Sequence, residues 1–314
     1  MWLPPVPRAK SPRNPMKNPF TRIALVGKVE DSRVADSLVA LAAHLRHRGV
    51  DVLIDEDIRV DGLPAGLLRR PVRELGREAD LIVAIGGDGT LLFAAQIALA
   101  RGVPLLGVNR GRLGFLTDVR PDEMVGNVDA ILDGRFETDA RDLLDVRLPA
   151  DGGPPREYRA LNDVVVQRQA TGRMVELEVW VDGAFVNTHG GDGLVVATST
   201  GSTAYALSCG GPIVHPALAA AVIAPISPHT LSDRPIVLSR ESRLEIRLVE
   251  RSGTRAQVTC DGFLLGDLEP GVPLSIGPAP ERITLLHPPG HDFFRLLRSK
   301  LHWGRSGRFG AEED

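Results

Sequence analysis

Four short apolar runs separated by helix-length stretches constrain the first third of the chain more than any other feature. Ile23 to Gly27, Asp51 to Ile54, Leu81 to Ile85 and Val103 to Val108 are largely continuous rather than alternating. That is the pattern of strands covered on both faces. Between the first two, Val34, Leu38, Leu41 and Leu45 recur at helical spacing, with Asp31 placed to cap the start and Gly49 to end the helix. Arg69 to Glu78 and Thr90 to Ala100 are expected as further helices. Strands alternating with helices give a parallel sheet with helices on both sides, so residues 22–135 are expected to form an α/β domain.

Beyond Arg135 the texture changes. Leu144 to Leu148, Asp163 to Gln167, Val175 to Val181, Leu194 to Ala197, Ile236 to Leu238, Leu244 to Leu248, Gln257 to Cys260 and Ile283 to Leu286 are short and β-branched, divided by Gly, Pro, Asp and Ser. Residues 136–291 are therefore expected to be mainly β, with sandwich-like spacing. From Asp292 helical spacing returns with Phe293, Leu296, Leu297 and Leu301, and the 292–304 helix is expected to dock back on the first domain. Residues 305–314, ending in three acids, read as a solvated tail. The first 21 residues hold six prolines and no continuous apolar core of a signal peptide. They read as a flexible tail, with Met16 as a second candidate start.

Composition removes several function classes. Across 314 residues, 37 Lys and Arg stand against 40 Asp and Glu, a net charge of −3, so electrostatic nucleic-acid binding is not expected. No run approaches the ~20 apolar residues of a membrane helix. The two cysteines, Cys209 and Cys260, form no Cys-x-x-Cys pair, and the eight histidines no metal-spaced pair, so no protein-held metal is expected. A reducing, cytoplasmic compartment fits this cysteine usage.

The sharpest local signal is Gly86-Gly87-Asp88-Gly89-Thr90, directly after a buried strand and directly before a helix. Ligands bind at that end of a parallel sheet; glycines allow left-handed angles and close approach, and free N–H groups at a helix start favour phosphate. Asp88 is out of place beside phosphate unless it binds a metal or takes a proton from an attacking hydroxyl, which points to kinase chemistry. The plainer alternative is a tight turn in which Asp88 caps the helix. The loop is neither a G-x-G-x-x-G fingerprint nor a G-x-x-x-x-G-K-[ST] P-loop, and no G-x-S-x-G is present to make Ser199 or Ser202 a hydrolase nucleophile.

Two further stretches complete the candidate set. Thr198-Ser199-Thr200-Gly201-Ser202-Thr203-Ala204-Tyr205 follows Asp192-Gly193 and a short strand; its hydroxyls offer donors to a polar ligand, and Tyr205 a face for a base. It reads equally as a polar surface loop. Asn162-Asp163 heads an apolar strand, an amide and a carboxylate able to grip vicinal ribose hydroxyls, or to form a turn. Lone histidines such as His215 and His229 read as structural.

Together these stretches resemble the NAD kinase family. The match is carried by Gly86 to Thr90, by Leu113-Gly114-Phe115-Leu116-Thr117, and by Asn162-Asp163 where the family usually has Asn-Glu. It continues through Asp192-Gly193, Thr200 to Tyr205, Gly210-Gly211-Pro212, Pro228 to Leu231 with Arg234-Pro235, Asp261-Gly262, and His287-Pro288 with Phe294. The resemblance implies transfer of the γ-phosphoryl of ATP to the adenosine ribose 2′-hydroxyl of NAD, with Asp88 as general base. It implies NAD contacts at Gly89, Asn162, Asp163, Asp192, Thr203, Ala204, Tyr205, Ala206, Leu207 and Ser208. It also implies Mg²⁺ or another divalent ion with ATP, no tightly bound cofactor, and a homodimer or homotetramer. Asp163 is one methylene shorter than the usual Glu. Gly190 stands where some bacterial relatives carry Arg, which leads us to expect NADH to be phosphorylated as well. Arg173 is read either as a cation for the diphosphate or as an exposed basic residue, and Ser199 as a change in loop stiffness where proline is frequent. The alternatives are a lipid or sphingoid kinase sharing the glycine-aspartate loop, and a dinucleotide sensor without catalysis.

Overall fold

The computed structural model describes residues 19–111, 114–117, 119–150, 152–169, 174–230, 232–250 and 254–301. Its first half runs β1 (Arg22–Gly27), α1 (Ser32–His47), β2 (Asp51–Asp55), β3 (Leu68–Arg70), α2 (Val72–Glu78), β4 (Leu81–Gly86), α3 (Asp88–Ala98), β5 (Leu105–Asn109) and α4 (Met124–Leu132). The strands are parallel in the order β3-β2-β1-β4-β5. The continuous apolar runs have a direct explanation. Ile23, Leu25, Leu81, Val83 and Ile85 face the core shared with α1 and α4, while Ala24, Val26, Ile82 and Ala84 face the one shared with α3. Burying such a side chain contributes roughly 1.5–3 kcal/mol.

Asp31 caps α1 by accepting the N–H of Arg33 at 3.0 Å, and Gly49 sits beyond its end at φ +74°. The helix expected from Arg69 starts later: Leu68–Arg70 pairs as β3 and α2 begins at Val72. Pro71 enforces this, because the residue before a proline is driven out of the helical region. Helix α3 starts at Asp88 and stops at Ala98, two residues earlier at each end than the periodicity predicts, and β5 occupies Leu105–Asn109 rather than 103–108.

The second half contains β6 (Glu137–Ala150), β7 (Gly153–Ala160), β8 (Asp163–Arg168), β9 (Val175–Val181), β10 (Ala184–Gly191), β11 (Gly193–Thr198), a 3₁₀ turn (Gly201–Thr203) and α5 (Tyr205–Ser208). It continues with β12 (Ala220–Ile226), β13 (Ile236–Ser239), β14 (Leu244–Leu248), β15 (Ala256–Cys260), β16 (Phe263–Leu268), β17 (Pro273–His287) and α6 (Phe293–Leu301). A six-stranded sheet, β13-β12-β11-β8-β15-β16, packs Val164, Val166, Leu194 and Val196 against Val146, Leu177, Val179 and Ile246 of the other sheet. This is the expected sandwich. That other sheet is the first half's own, because β17 pairs antiparallel with β14 and β6 and parallel with β5, giving one eleven-stranded sheet.

Strand order reverses between β1 and β4, and the crevice beyond their carboxyl ends is where open α/β sheets bind ligands. Gly86 to Asp88 lie at that crevice. Helix α6 buries Leu296 and Leu297, and reaches the first half through Lys300, whose Nζ lies 5.5 Å from the Phe115 ring centre. No helix among the described residues is long and apolar enough to cross a membrane. The tails expected at 1–21 and 305–314 lie outside the described residues up to residue 18 and after residue 301.

Candidate active site

Asp88 does not cap its own helix. The capping position of α3 is Gly87, with no side-chain partner, and the Asp88 carboxylate turns to the loop after β5 instead. Its Oδ2 accepts the N–H of Phe115 at 2.8 Å; its Oδ1 accepts the N–H groups of Leu116 and Thr117 at 3.1 and 3.2 Å and the Thr117 hydroxyl at 3.2 Å. A carboxylate offers about four lone-pair sites, so Oδ1 is loaded and Oδ2 retains capacity. Buried Asn109 fixes the loop by donating to Thr117 Oγ1 at 2.9 Å and accepting the N–H of Gly111 at 2.7 Å.

The glycines divide by role. A Cβ on Gly114 would stand 1.8 Å from Asp88 Oδ1, so the carboxylate and any side chain there exclude each other. A Cβ on Gly87 or Gly89 would meet nothing within 4 Å, and neither has positive φ. Left-handed angles are therefore not what these two supply. They leave bare backbone and open space at the uncapped start of α3, where N–H groups favour an anion.

The second face of the site is built around β8. Leu161, just before Asn162, is buried in the same apolar cluster as Leu91, Leu92 and Leu116, which sets β8 beside α3. Asp261, in the β15–β16 turn with φ +50°, accepts the N–H groups of Leu161, Asn162 and Asp163 at 2.9, 2.7 and 3.2 Å. Burial pushes its carboxyl up to about 6 against those hydrogen bonds. Asp163 is pushed up to about 7, by burial first and then by the Asp261 charge, while the Tyr205 N–H works the other way. Asn162, Asp163, Ala204, Tyr205, Asp261 and Gly262 line a cleft of about 300 Å³. The Tyr205 phenol is raised by burial, then by Cys209, Asp192 and Asp163, so these polar groups share one neighbourhood.

The hydroxyl run before Tyr205 bonds within its own loop and to the neighbouring strands. Thr198 Oγ1 donates to Leu161 O at 2.6 Å, Ser199 Oγ to the carbonyls of Leu218 and Ala220, Ser202 Oγ to Ser199 O at 2.7 Å, and Thr203 Oγ1 to Thr200 O at 3.2 Å. These bonds hold the loop in place. A Cβ on Gly201 would lie 2.0 Å from Asn162 O, so the loop closes directly on β8. Buried Arg141, paired with Asp139 at 2.7 Å, donates to Thr200 Oγ1 at 3.2 Å. His287 beside Asp139 and Arg141 outweigh burial and hold that carboxyl well below its usual range.

Ala206, Leu207 and Ser208 belong to α5, where Ala206 is buried and Leu207 half-buried. Asp192, between β10 and β11, pairs with Arg168. The Gly190 carbonyl accepts the N–H of His229 at 2.9 Å, and a Cβ there would find only Met174 Sδ at 3.7 Å. Arg173 lies outside the described residues. Sequence reasoning named no role for Asn109, Gly114 or the amides of 115–117, because a bond to backbone N–H leaves no mark on residue type. Among the described residues no three His, Cys, Asp or Glu side chains gather as a metal site.

Comparison with known proteins places this geometry. Residues 32–136 match the ATP-NAD kinase N-terminal domain and residues 161–287 the ATP-NAD kinase C-terminal domain. The chain is 45% identical over 293 residues to the NAD kinase of Methylococcus capsulatus, covering 92% of this chain and 99% of that one. It is 42% identical over 296 residues to the NAD kinase of Pseudomonas putida, covering 94% and 99%. Two solved structures share the fold. One is yeast NADH kinase complexed with NADH, with TM-score 0.85, 24% identity and coverage of 94% and 91%. The other is an NAD kinase from Archaeoglobus fulgidus in complex with ATP, with TM-score 0.72, 27% identity and coverage of 90% and 98%. With both domains matched in order and bacterial relatives aligned along almost their whole length, the chain belongs to the ATP-NAD kinase family.

Proposed function

We propose that in this NAD kinase Asp88 receives the proton of the adenosine ribose 2′-hydroxyl of NAD as the γ-phosphoryl of ATP moves to that oxygen. The O–H bond breaks toward Asp88 Oδ2 and the new O–P bond forms. The bond from γ-phosphorus to the bridging oxygen breaks with its electron pair left on ADP, and NADP is the other product. The observation that carries this reading is the uneven loading of Asp88: three donors on Oδ1, one on Oδ2. Four hydrogen bonds fix the carboxylate, which is the positioning that phosphoryl transfer needs most. Mg²⁺ or another divalent ion enters with ATP as part of the substrate, neutralising the triphosphate.

Asn162, Asp163, Asp192 and Tyr205 line the NAD side, with Ala204 and Tyr205 presenting backbone and ring beside the cleft. NADH is a second substrate, because Gly190 leaves open space, with only Met174 Sδ within 4 Å of a Cβ placed there, where some bacterial relatives carry Arg. The chain acts in the cytoplasm, in keeping with two free cysteines. It assembles as a homodimer or homotetramer, for which exposed Ile236 and Val237 on edge strand β13 offer an apolar surface.

NADP formation by the purified protein with NAD, ATP and Mg²⁺, run beside Asp88→Asn, tests the central reading. Removing a general base costs about 10²- to 10⁴-fold in rate; a folded Asp88→Asn that keeps full turnover overturns it. For NADH, we expect Gly190→Arg to lower kcat/KM with NADH about tenfold relative to NAD. Rejection of NADH by the unaltered protein defeats that extension.

A further inference from the structure

We propose that Lys300 contacts the triphosphate of ATP, carried to the reacting centre by α6, which acts as a strap between the two faces of the site. The inference rests on Asp88 being that centre.

One end of α6 is tied to the dinucleotide side. The rings of Phe293 and Phe294 pack on the His215 imidazole at 5.0 and 5.7 Å. His215 follows Val214, whose N–H donates to Ser202 Oγ at 3.0 Å, inside the loop that leads to Tyr205. The other end is tied to the Asp88 side. Lys300 Nζ stands over Phe115, and the N–H of Phe115 is, among the described residues, the one donor on Asp88 Oδ2. Leu296 and Leu297, buried between the two ends, fix the helix in place.

Charge points the same way. Among the described residues several arginines meet a carboxylate, as Arg33, Arg70, Arg159 and Arg168 do. Lys300 is half-buried, yet among the described residues it has no carboxylate within ion-pair distance; its one recorded partner is a phenyl ring. Arg110, directly after β5, spends its Nε on the Arg33 carbonyl at 2.8 Å. A triphosphate arriving at the bare amides of Gly87 and Gly89 brings several negative charges. A compact ammonium with three free donors, held near the β- and γ-phosphates, is what a phosphoryl-transfer site uses beside its divalent ion.

The test uses the full chain carrying Lys300→Met, which keeps the length of the stem, and Lys300→Arg, which keeps the charge. For Lys300→Met we expect kcat/KM for ATP to fall tenfold or more, KM for NAD to stay within twofold, and the thermal midpoint to stay unchanged. Lys300→Arg should recover most of the loss, and the ionic-strength dependence of KM for ATP should weaken in Lys300→Met. Unchanged ATP kinetics in Lys300→Met overturns the proposal. So does an equal loss toward NAD and ATP that Lys300→Arg fails to rescue, the outcome of a purely structural role. If Lys300→Met does not fold, Lys300→Gln read by the same ratio decides. Asp88→Asn measured alongside separates the two readings: loss in Asp88→Asn with none in Lys300→Met refutes only the lysine, whereas turnover in Asp88→Asn refutes the reacting centre itself.

Discussion

Asp88 and Asp261 are held alike and placed differently. Each carboxylate accepts three successive backbone N–H groups, from residues 115–117 in one case and 161–163 in the other. Both divide those amides in the same way, one on Oδ2 and two on Oδ1, but Asp261 is buried and sits on a turn, whereas Asp88 is half-exposed beside bare glycines. The same bonding pattern therefore serves as a structural clamp where water is excluded and as a fixed reagent where a substrate can enter. Hydrogen bonding alone does not tell the two apart; burial does.

Equal substitutions at the two positions are the strongest way to break this comparison. Asp88→Ala should lower kcat about 10²- to 10⁴-fold with little change in melting temperature. Asp261→Ala leaves two buried donors and one half-buried donor without an acceptor, each buried one costing ~1–3 kcal/mol, so it should lower stability by about 2 kcal/mol or more. Rates and melting curves on both variants check this. If Asp88→Ala proves the more destabilising of the two and Asp261→Ala the more damaging to kcat, the assignment is reversed.

A smaller effect is expected at Gly114, where the clamp on Asp88 has no spare room. Gly114→Ala must displace the carboxylate, and a shift of about 1 Å costs on the order of 10²-fold in rate. Unchanged kinetics would show that Asp88 need not sit where Oδ1 now lies.

The mildest test uses protons. Asp163 and Asp261 titrate in the folded chain at about 7 and about 6, above the ~3.9 of an unfolded aspartate. The folded state thus holds protons more tightly. This contribution is fully present below about pH 4 and is lost as pH rises through 6 and 7. Asp139, shifted downward, acts oppositely: its contribution is present above about pH 4 and fades in acid. Melting temperatures between pH 5 and 8 should therefore fall as pH rises, and Asp163→Asn should flatten that slope. A slope as steep in Asp163→Asn as in the parent would remove Asp163 from the account.

Much of the fold was legible because burial leaves a pattern. Leu81 to Ile85 alternates between two cores, so both phases must be apolar, and the strand shows in the sequence. The exposed strand β7, with Pro154 and Pro155, carries no such pattern and went unseen. Pro71 shows the converse, a single residue overriding a ten-residue helical period. At the site, Asp88 stood out because a carboxylate among glycines is chemically odd. The hydroxyls of Thr198, Ser199 and Ser202 left two readings open, because donors that hold a loop and donors that hold a ligand have the same composition. Asp163 was named, but its carboxyl is raised by burial first and then by Asp261, ninety-eight positions later, and no local window shows either.

The pairing of β17 with β5 also bears on how the chain is made. Leu105 meets Leu285, so the outer edge of the parallel sheet stays unpaired until the last tenth of the chain has left the ribosome. Contacts so distant in sequence form slowly, and an open apolar strand edge invites wrong partners while it waits. The strand that seals the middle of the sheet is thus made late, after every other strand, and a nascent chain stopped short of β17 leaves the β5 edge open to aggregation.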